Sequence, residues 1–65
     1  MFDFIQFSQA IKANLKYKDT CRSIAKEIGI SLSTAHRAMN GKEIKINNVI
    51  RVCVWLNRPI TDFIK

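Results

Sequence analysis

Residues 20–40 read TCRSIAKEIGISLSTAHRAMN, and this stretch constrains the fold more than any other part of the chain. Apolar residues recur at helical spacing before Gly29 and again after Ser31. Glycine readily adopts the positive φ that ends a helix, and serine is a preferred residue at the start of one. The stretch therefore predicts two short helices joined by a tight turn, with Ser31 as the cap of the second. Thr20 is expected to cap the first, with Asp19 as the competing choice.

The second of these helices is expected to present a polar face. Ala35 and Ala38 continue the apolar side, with Met39 beside them as a flexible filler. The outward positions carry one leucine and four polar side chains: Leu32, Ser33, His36, Arg37 and Asn40. Such a pair of helices is typical of a helix-turn-helix, whose second helix enters the major groove of DNA.

The charge pattern agrees with a polyanionic partner. The chain has 65 residues and a formal net charge of +6. Eight of its 11 lysines and arginines lie between residues 12 and 45, where only three acidic residues lie. A basic stripe favours phosphates through counterion release. Taken alone, the charge is equally well explained as the ordinary solvated surface of a small domain.

A first helix is predicted before this stretch, over about residues 4–16. Asp3 is expected to cap it, with Gln6 as the reciprocal partner three residues on. Phe2 and Phe7 stand at the positions of a hydrophobic staple.

A fourth helix is predicted after the stretch, over about residues 46–56. Its inner stripe is expected to be Ile46, Val49, Ile50, Cys53 and Leu56. Pro59 then opens a last short segment, and no strand pattern appears. The expected fold is a compact all-α bundle of four to five helices, in which residues 1–65 form a single domain.

Several other functional classes find no support in the sequence. His36 is the only histidine and the two cysteines are far apart, so we expect no metal, cofactor or small-molecule ligand. Two cysteines without a secretion signal favour a reducing cytoplasm, and no apolar run approaches the roughly 18 residues of a membrane span. The sequence shows no catalytic nucleophile and general base at a recognisable spacing, so we expect that the protein is not an enzyme.

The motifs occur in a particular order. Ala25 and Gly29 are followed by Ile30-Ser31-x-Ser33-Thr34, then Arg37, then Asn40-Gly41-Lys42, and finally Ile46-x-x-Val49-Ile50-Arg51-Val52-x-x-x-Leu56-Asn57-x-x-Ile60-x-Asp62-x-Ile64. This order over about residues 20–64 resembles the lambda-repressor-like helix-turn-helix domains of the Cro and CI phage regulators. The resemblance implies a small Cro-like transcriptional repressor in a bacterial host cytoplasm, binding a pseudo-palindromic operator as a homodimer through residues 31–40.

The chain departs from that family at four positions. Leu32 and Cys21 stand where the family often has glutamine, Ala35 where a β-branched residue is usual, and Trp55 where a small residue is usual. The identity of the operator therefore does not transfer.

The expected DNA contacts divide into two sets. Base contacts are expected from the outward face of the second motif helix: Leu32, Ser33, His36 and Arg37. Phosphate contacts are expected from the motif's flanks: Thr20, Cys21, Arg22, Thr34, Asn40, Lys42 and Lys45. Several alternatives stay open. Arg37 is otherwise a phosphate clamp or a solvated charge, Leu32 a staple against the preceding helix, and Asn40 a helix cap. Ser33 is otherwise a phosphate contact, His36 a solvated residue without a DNA contact, and Thr34 a support for the helix. A redox-sensing thiol is the alternative for Cys21.

Self-association is expected at the C-terminal end, through Val54, Trp55, Arg58, Pro59 and Phe63. The alternative is that Trp55 fills a core left thin by two alanines. A second functional hypothesis is a protein-interaction module, such as an antitoxin or an anti-repressor with the same fold. The strongly apolar fourth helix is the best support for it.

Overall fold

Four α-helices and one short 3-10 helix make up the fold, which is that of a small all-α bundle. The computed structural model describes all 65 residues. The helices are α1 (Phe4–Ala13), α2 (Cys21–Ile28), α3 (Leu32–Met39), α4 (Ile46–Leu56) and the 3-10 helix Ile60–Phe63. No helix has the length and apolar character needed to cross a lipid bilayer.

Side-chain caps begin the first three helices, as predicted. Asp3 Oδ1 accepts from the Gln6 N–H at 3.1 Å, and Ser31 Oγ accepts from the Thr34 N–H at 3.2 Å. Thr20 is capped reciprocally: its Oγ1 accepts from the Ser23 N–H at 3.1 Å while its own N–H donates to Ser23 Oγ at 2.8 Å. These bonds satisfy N–H groups that a helix start otherwise leaves unpaired.

Left-handed residues end α2 and α4. Gly29 has φ +89° and donates its N–H to Ala25 O at 2.9 Å, which confirms the predicted turn. Asn57, with φ +58°, performs the same role after α4. Asparagine tolerates this conformation better than most other side chains.

Two details predicted for α1 are wrong. The helix ends at Ala13, where the bonding tightens: the Asn14 N–H also donates to Ile11 O at 3.1 Å, and the Leu15 N–H donates to Lys12 O at 3.2 Å. A separate turn follows, in which the Lys16 N–H donates to Asp19 Oδ2 at 2.8 Å. Gln6 does not complete a reciprocal cap. The Asp3 N–H that it would have bonded donates to a more distant carbonyl, as described below.

The core is an aromatic cluster extended by aliphatic side chains. The Phe7 and Phe63 rings meet edge to face with centroids 5.1 Å apart, and Phe2 lies 5.0 Å from Phe7, which confirms the staple. Edge-to-face pairs add stability beyond their buried area. The buried cluster comprises Phe7, Ile11, Ile24, Ala38, Val49, Val52, Cys53, Leu56 and Phe63.

The inner face of α4 differs from the predicted stripe. Val52 is fully buried, whereas Ile46 and Ile50 are 59% and 50% exposed. Each helical residue turns by about 100°, so a face centred on Val49 and Leu56 includes residue 52 and leaves residues 46 and 50 to one side. Because α4 is apolar nearly all round, its sequence did not identify the buried side.

The two ends of the chain pair with each other, which the sequence did not indicate. Phe2 and Ile64 form an isolated antiparallel bridge. The Asp3 N–H donates to Phe63 O at 2.6 Å, and the Lys65 N–H donates to Met1 O at 2.8 Å. This pairing holds the 3-10 helix against the start of α1, which positions Phe63 in the core.

Candidate nucleic-acid interface

Helices α2 and α3 pack directly against each other and are joined only by residues 29–31. Small side chains permit the close approach: Ala25 of α2 and Ala35 of α3 are 4% and 2% exposed. Ala38, one turn further along α3, lies in the core cluster. The buried alanines fix which side of α3 faces solvent.

The outward face of α3 contains the residues predicted for it. Leu32, Ser33, His36, Arg37 and Asn40 are all exposed, and Thr34 is half-buried at the edge. Their exposure confirms the predicted orientation of the helix. Contact with DNA stays a prediction for each of them.

A chain of hydroxyl groups lies at the start of α3. Ser31 Oγ donates to Thr34 Oγ1 at 2.7 Å and lies 3.4 Å from Ser33 Oγ. Thr34 is therefore held by the cap, which makes it a supporting residue, and Ser33 carries the outermost hydroxyl. Ser31 was predicted as the cap of α3, but its contacts with the hydroxyl groups of Ser33 and Thr34 were not.

Arg37 is bound to the loop that follows α3. Its Nε and Nη2 donate to Glu43 O at 3.2 and 3.0 Å. A guanidinium reads guanine with two parallel N–H groups, and this edge of Arg37 already has an acceptor. The side chain is thus a fixed part of the loop, and a base contact would have to use its other edge, formed by Nη1 and the second N–H of Nη2.

The side-chain amide of Asn40 contacts His36, which lies one helical turn before it. Asn40 Nδ2 donates to His36 O at 2.7 Å and lies 3.3 Å from His36 Nδ1. Asn40 is also the C-terminal cap of α3, which confirms its capping alternative. The imidazole is held through Nδ1, and its Nε2 has no partner within the chain.

The start of α2 presents backbone donors. Thr20 Oγ1 bonds the third N–H of the helix, so the N–H groups of Cys21 and Arg22 have no acceptor in the chain. Arg22 is exposed and Cys21 is half-buried. Free N–H groups at a helix start attract anions, and the helix dipole adds to this attraction.

The basic side chains around α3 are not neutralised internally. The chain has two ion pairs, Arg58–Asp62 and Lys65–Asp3, and both lie outside residues 12–45. Lys42 and Lys45 are exposed on the loop that Arg37 holds. A shallow polar depression lies beside this loop, lined by Thr34, Arg37, Glu43, Ile44, Lys45 and Asn48.

Asn48 belongs to this depression and was missed by the sequence analysis. It lies in the first turn of α4, and its N–H donates to Lys45 O at 3.0 Å. Two adjacent asparagines, Asn47 and Asn48, at the start of a mostly apolar helix were the signal that could have found it.

The predicted self-association residues do not all lie on one surface: Val54, Arg58 and Pro59 line one shallow groove, whereas Trp55 and Phe63 do not. Val54 is 75% exposed and Pro59 is exposed, but Phe63 is 1% exposed and belongs to the core, so its assignment to an interface is wrong. Arg58 pairs with Asp62 at 3.0 Å, and its guanidinium lies 4.8 Å from the centre of the Phe63 ring. Trp55 is half-buried and packs against the core cluster, as the alternative assignment stated.

The titratable groups are not clustered as metal ligands. No group of three or more histidine, cysteine or acidic side chains is placed to hold a metal ion. Burial raises the pKa of the Cys53 thiol, with the Asp62 carboxylate adding to the effect. A raised pKa makes a thiol less reactive.

Comparison of the chain with protein families, with curated proteins and with solved structures finds no match.

Proposed function

We propose that this protein is a sequence-specific regulator that binds double-stranded DNA, with α2 and α3 acting as a helix-turn-helix. One observation carries the proposal. The exposed face of α3 lies within residues 12–45, and none of the eight basic side chains of that segment forms an ion pair. A polyanion placed along α3 would meet this charge without first breaking an internal salt bridge.

The proposed contacts are assigned to groups that stay available for hydrogen bonding or apolar contact in the free protein. Ser33, the free edge of His36 and the exposed side chain of Leu32 are available to read base edges. Leucine would do so by apolar contact with a thymine methyl group. Phosphates would be bound by Lys42, Lys45, Arg22 and the free N–H groups at the start of α2, which fix the register without reading sequence.

The finer assignment follows the motif order given above. It resembles the lambda-repressor-like domains, so we propose a Cro-like transcriptional repressor. A homodimer would place two α3 helices on half-sites about 34–36 Å apart. The four departures from the family pattern mean that its operator must be found by experiment.

Selection of duplexes from a random library, with the mass of the complex measured, tests the proposal directly. We expect enrichment of one pseudo-palindromic sequence and two chains for each duplex. The logarithm of the binding constant should fall linearly with the logarithm of the salt concentration. Equal affinity for every duplex at physiological salt would contradict a sequence-specific regulator.

Two kinds of substitution distinguish residues that read the base sequence from residues that bind phosphate and set the position on the DNA. Ser33→Ala and His36→Ala should each relax the selected sequence while leaving the salt dependence unchanged. Lys42→Ala should weaken all duplexes alike and reduce the salt slope by about one unit. Lys65→Ala removes the same charge from the terminal pairing, so it is the matched control and should have a smaller effect than Lys42→Ala.

A protein-interaction module is the second candidate, and the exposed apolar positions on α4 favour it. A module of this kind would retain one partner protein and retard no promoter DNA. The library selection distinguishes the two candidates, because an interaction module would enrich no sequence.

A further inference from the structure

The contact between Asn40 and His36 determines how the amide of Asn40 is oriented. Asn40 Nδ2 lies 2.7 Å from His36 O and 3.3 Å from His36 Nδ1. A carbonyl oxygen can only accept, so the amide atom beside it must be the NH2 nitrogen. The opposite orientation of the amide would place two acceptor oxygens at hydrogen-bond distance with no proton between them.

The backbone holds Asn40 at this position. Its N–H donates to His36 O at 3.2 Å and to Arg37 O at 3.1 Å, so Asn40 ends α3. Gly41 follows with φ +73° and turns the chain away. The side chain of Asn40 therefore starts one helical turn beyond His36, where residues four apart on a helix are neighbours.

The NH2 group of Asn40 in turn determines which ring nitrogen of His36 carries the proton. One of its two hydrogens is donated to the carbonyl, and the other faces Nδ1. An amide NH2 group does not accept hydrogen bonds, so a proton on Nδ1 would have no acceptor there. In the neutral imidazole, Nδ1 therefore carries the lone pair and Nε2 carries the proton.

We infer that Asn40 is a positioning residue that makes His36 a hydrogen-bond donor toward DNA, so that His36 selects a base that presents an acceptor. This inference rests on the proposed function and adds the chemistry of the base. His36 is exposed on the outward face of α3, and its Nε2–H is free to donate.

The major groove distinguishes the bases by this property. Guanine presents two acceptors, O6 and N7, thymine presents O4, and adenine presents N7 beside its amino group. Cytosine presents only its amino donor. A histidine that can only donate excludes cytosine and favours guanine. Without the contact from Asn40, a neutral imidazole can place its proton on either nitrogen, so that Nε2 could also accept from cytosine.

Nitrogen-15 spectra of the imidazole test the arrangement of protons without DNA. His36 is the only histidine in the chain, so its two ring nitrogens are identified without ambiguity. Long-range proton–nitrogen correlations at about pH 8.5, where a free imidazole is neutral, should show a protonated Nε2 and an unprotonated Nδ1.

The decisive comparison is with Asn40→Asp, because a free imidazole itself prefers the proton on Nε2. A carboxylate can only accept, so it should move the proton to Nδ1. Asn14→Asp is the matched control: Asn14 is exposed and ends α1 as Asn40 ends α3, and the change in charge is the same. It should leave the ring of His36 unchanged. A proton on Nδ1 in the wild type, or equal spectra for the two aspartate variants, would overturn the inference.

Selection of duplexes tests the consequence for DNA. The base that His36 contacts is the position that becomes degenerate in His36→Ala, and the wild type should exclude cytosine there. Asn40→Ala should reduce the preference for guanine over cytosine at this position at least threefold and leave the other positions unchanged. A uniform loss of affinity with an unchanged preference would overturn the inference, since it would indicate a structural or phosphate-binding role. Enrichment of no duplex would contradict the proposed function, whereas the spectra would still decide the position of the proton.

Discussion

Arg37 donates two hydrogen bonds to the backbone carbonyl of Glu43, six residues further along the chain. The guanidinium thereby connects the end of α3 to the loop before α4. This loop carries Lys42 and Lys45, two of the charges proposed to meet phosphate. The arginine chosen from the sequence as a reader of bases is, in the free protein, a residue that positions other side chains.

Replacing Arg37 by lysine should loosen this loop although the charge is kept. Lysine cannot present two N–H groups in a rigid fork, so both bonds to Glu43 are not retained. Amide hydrogen exchange of residues 42–45 should become faster, and the free energy of unfolding should fall by about 0.5–1 kcal/mol. Arg22→Lys is the control, since the Arg22 side chain makes no hydrogen bond. Unchanged exchange in Arg37→Lys would contradict a positioning role.

Substitution of Gly29 should be costly because of its backbone conformation. At φ +89° a side chain is strained, and an alanine Cβ would also lie 3.3 Å from Arg51 Nη1. We expect Gly29→Ala to lower the free energy of unfolding by about 1–2 kcal/mol in urea denaturation. Gly29→Asn should cost less than alanine, since asparagine tolerates this region. The reverse order would show that the contact with Arg51 dominates.

Stability should fall in acid partly through Asp3. The Gln6 N–H, together with Lys65 Nζ at 3.3 Å, holds the pKa of the Asp3 carboxyl below its ordinary value of 3.8. A lowered pKa stabilises the fold above pH 3.8, and this contribution is lost as the pH falls through the native pKa. Thermal melting should separate wild type from Asp3→Asn at pH 6, and the two curves should converge toward pH 2. A constant difference over this range would contradict the linkage.

Enlarging Ala38 should disturb the packing of α3 in the bundle. The residue is 1% exposed and part of the core cluster, so a leucine would overpack the site. We expect Ala38→Leu to cost about 1–3 kcal/mol. Ala13→Leu makes the same change at an exposed position near the end of α1 and should be close to neutral. Equal effects would mean that helix propensity, and not packing, determines the result.

The parts of the fold that depend on short-range chemistry could be predicted from the sequence. The caps at Asp3, Thr20 and Ser31 and the turn at Gly29 each involve residues within a few positions, and they form as expected. The exposed face of α3 could be predicted because two small apolar residues, Ala35 and Ala38, indicated which side is buried.

Apart from the end of α1, which local bonds determine, the errors concern contacts that lie beyond neighbouring residues in the chain. The buried face of α4 is chosen by its neighbours, and an almost wholly apolar helix gives no local indication of it. Phe63 enters the core because the chain ends pair, and Gln6 loses its expected partner for the same reason. The loop around Glu43 has no sequence motif, so the engagement of Arg37 could not be foreseen.

The pairing of Phe2 with Ile64 places the first and last residues side by side, with Met1 and Lys65 sharing backbone hydrogen bonds. A short glycine–serine peptide could join these ends without disturbing the core. New ends could then be opened beside Tyr17, which is 97% exposed in the turn between α1 and α2. These 65 residues are thus suited to circular permutation, and labels attached at Met1 and at Lys65 would emerge from the same corner of the molecule.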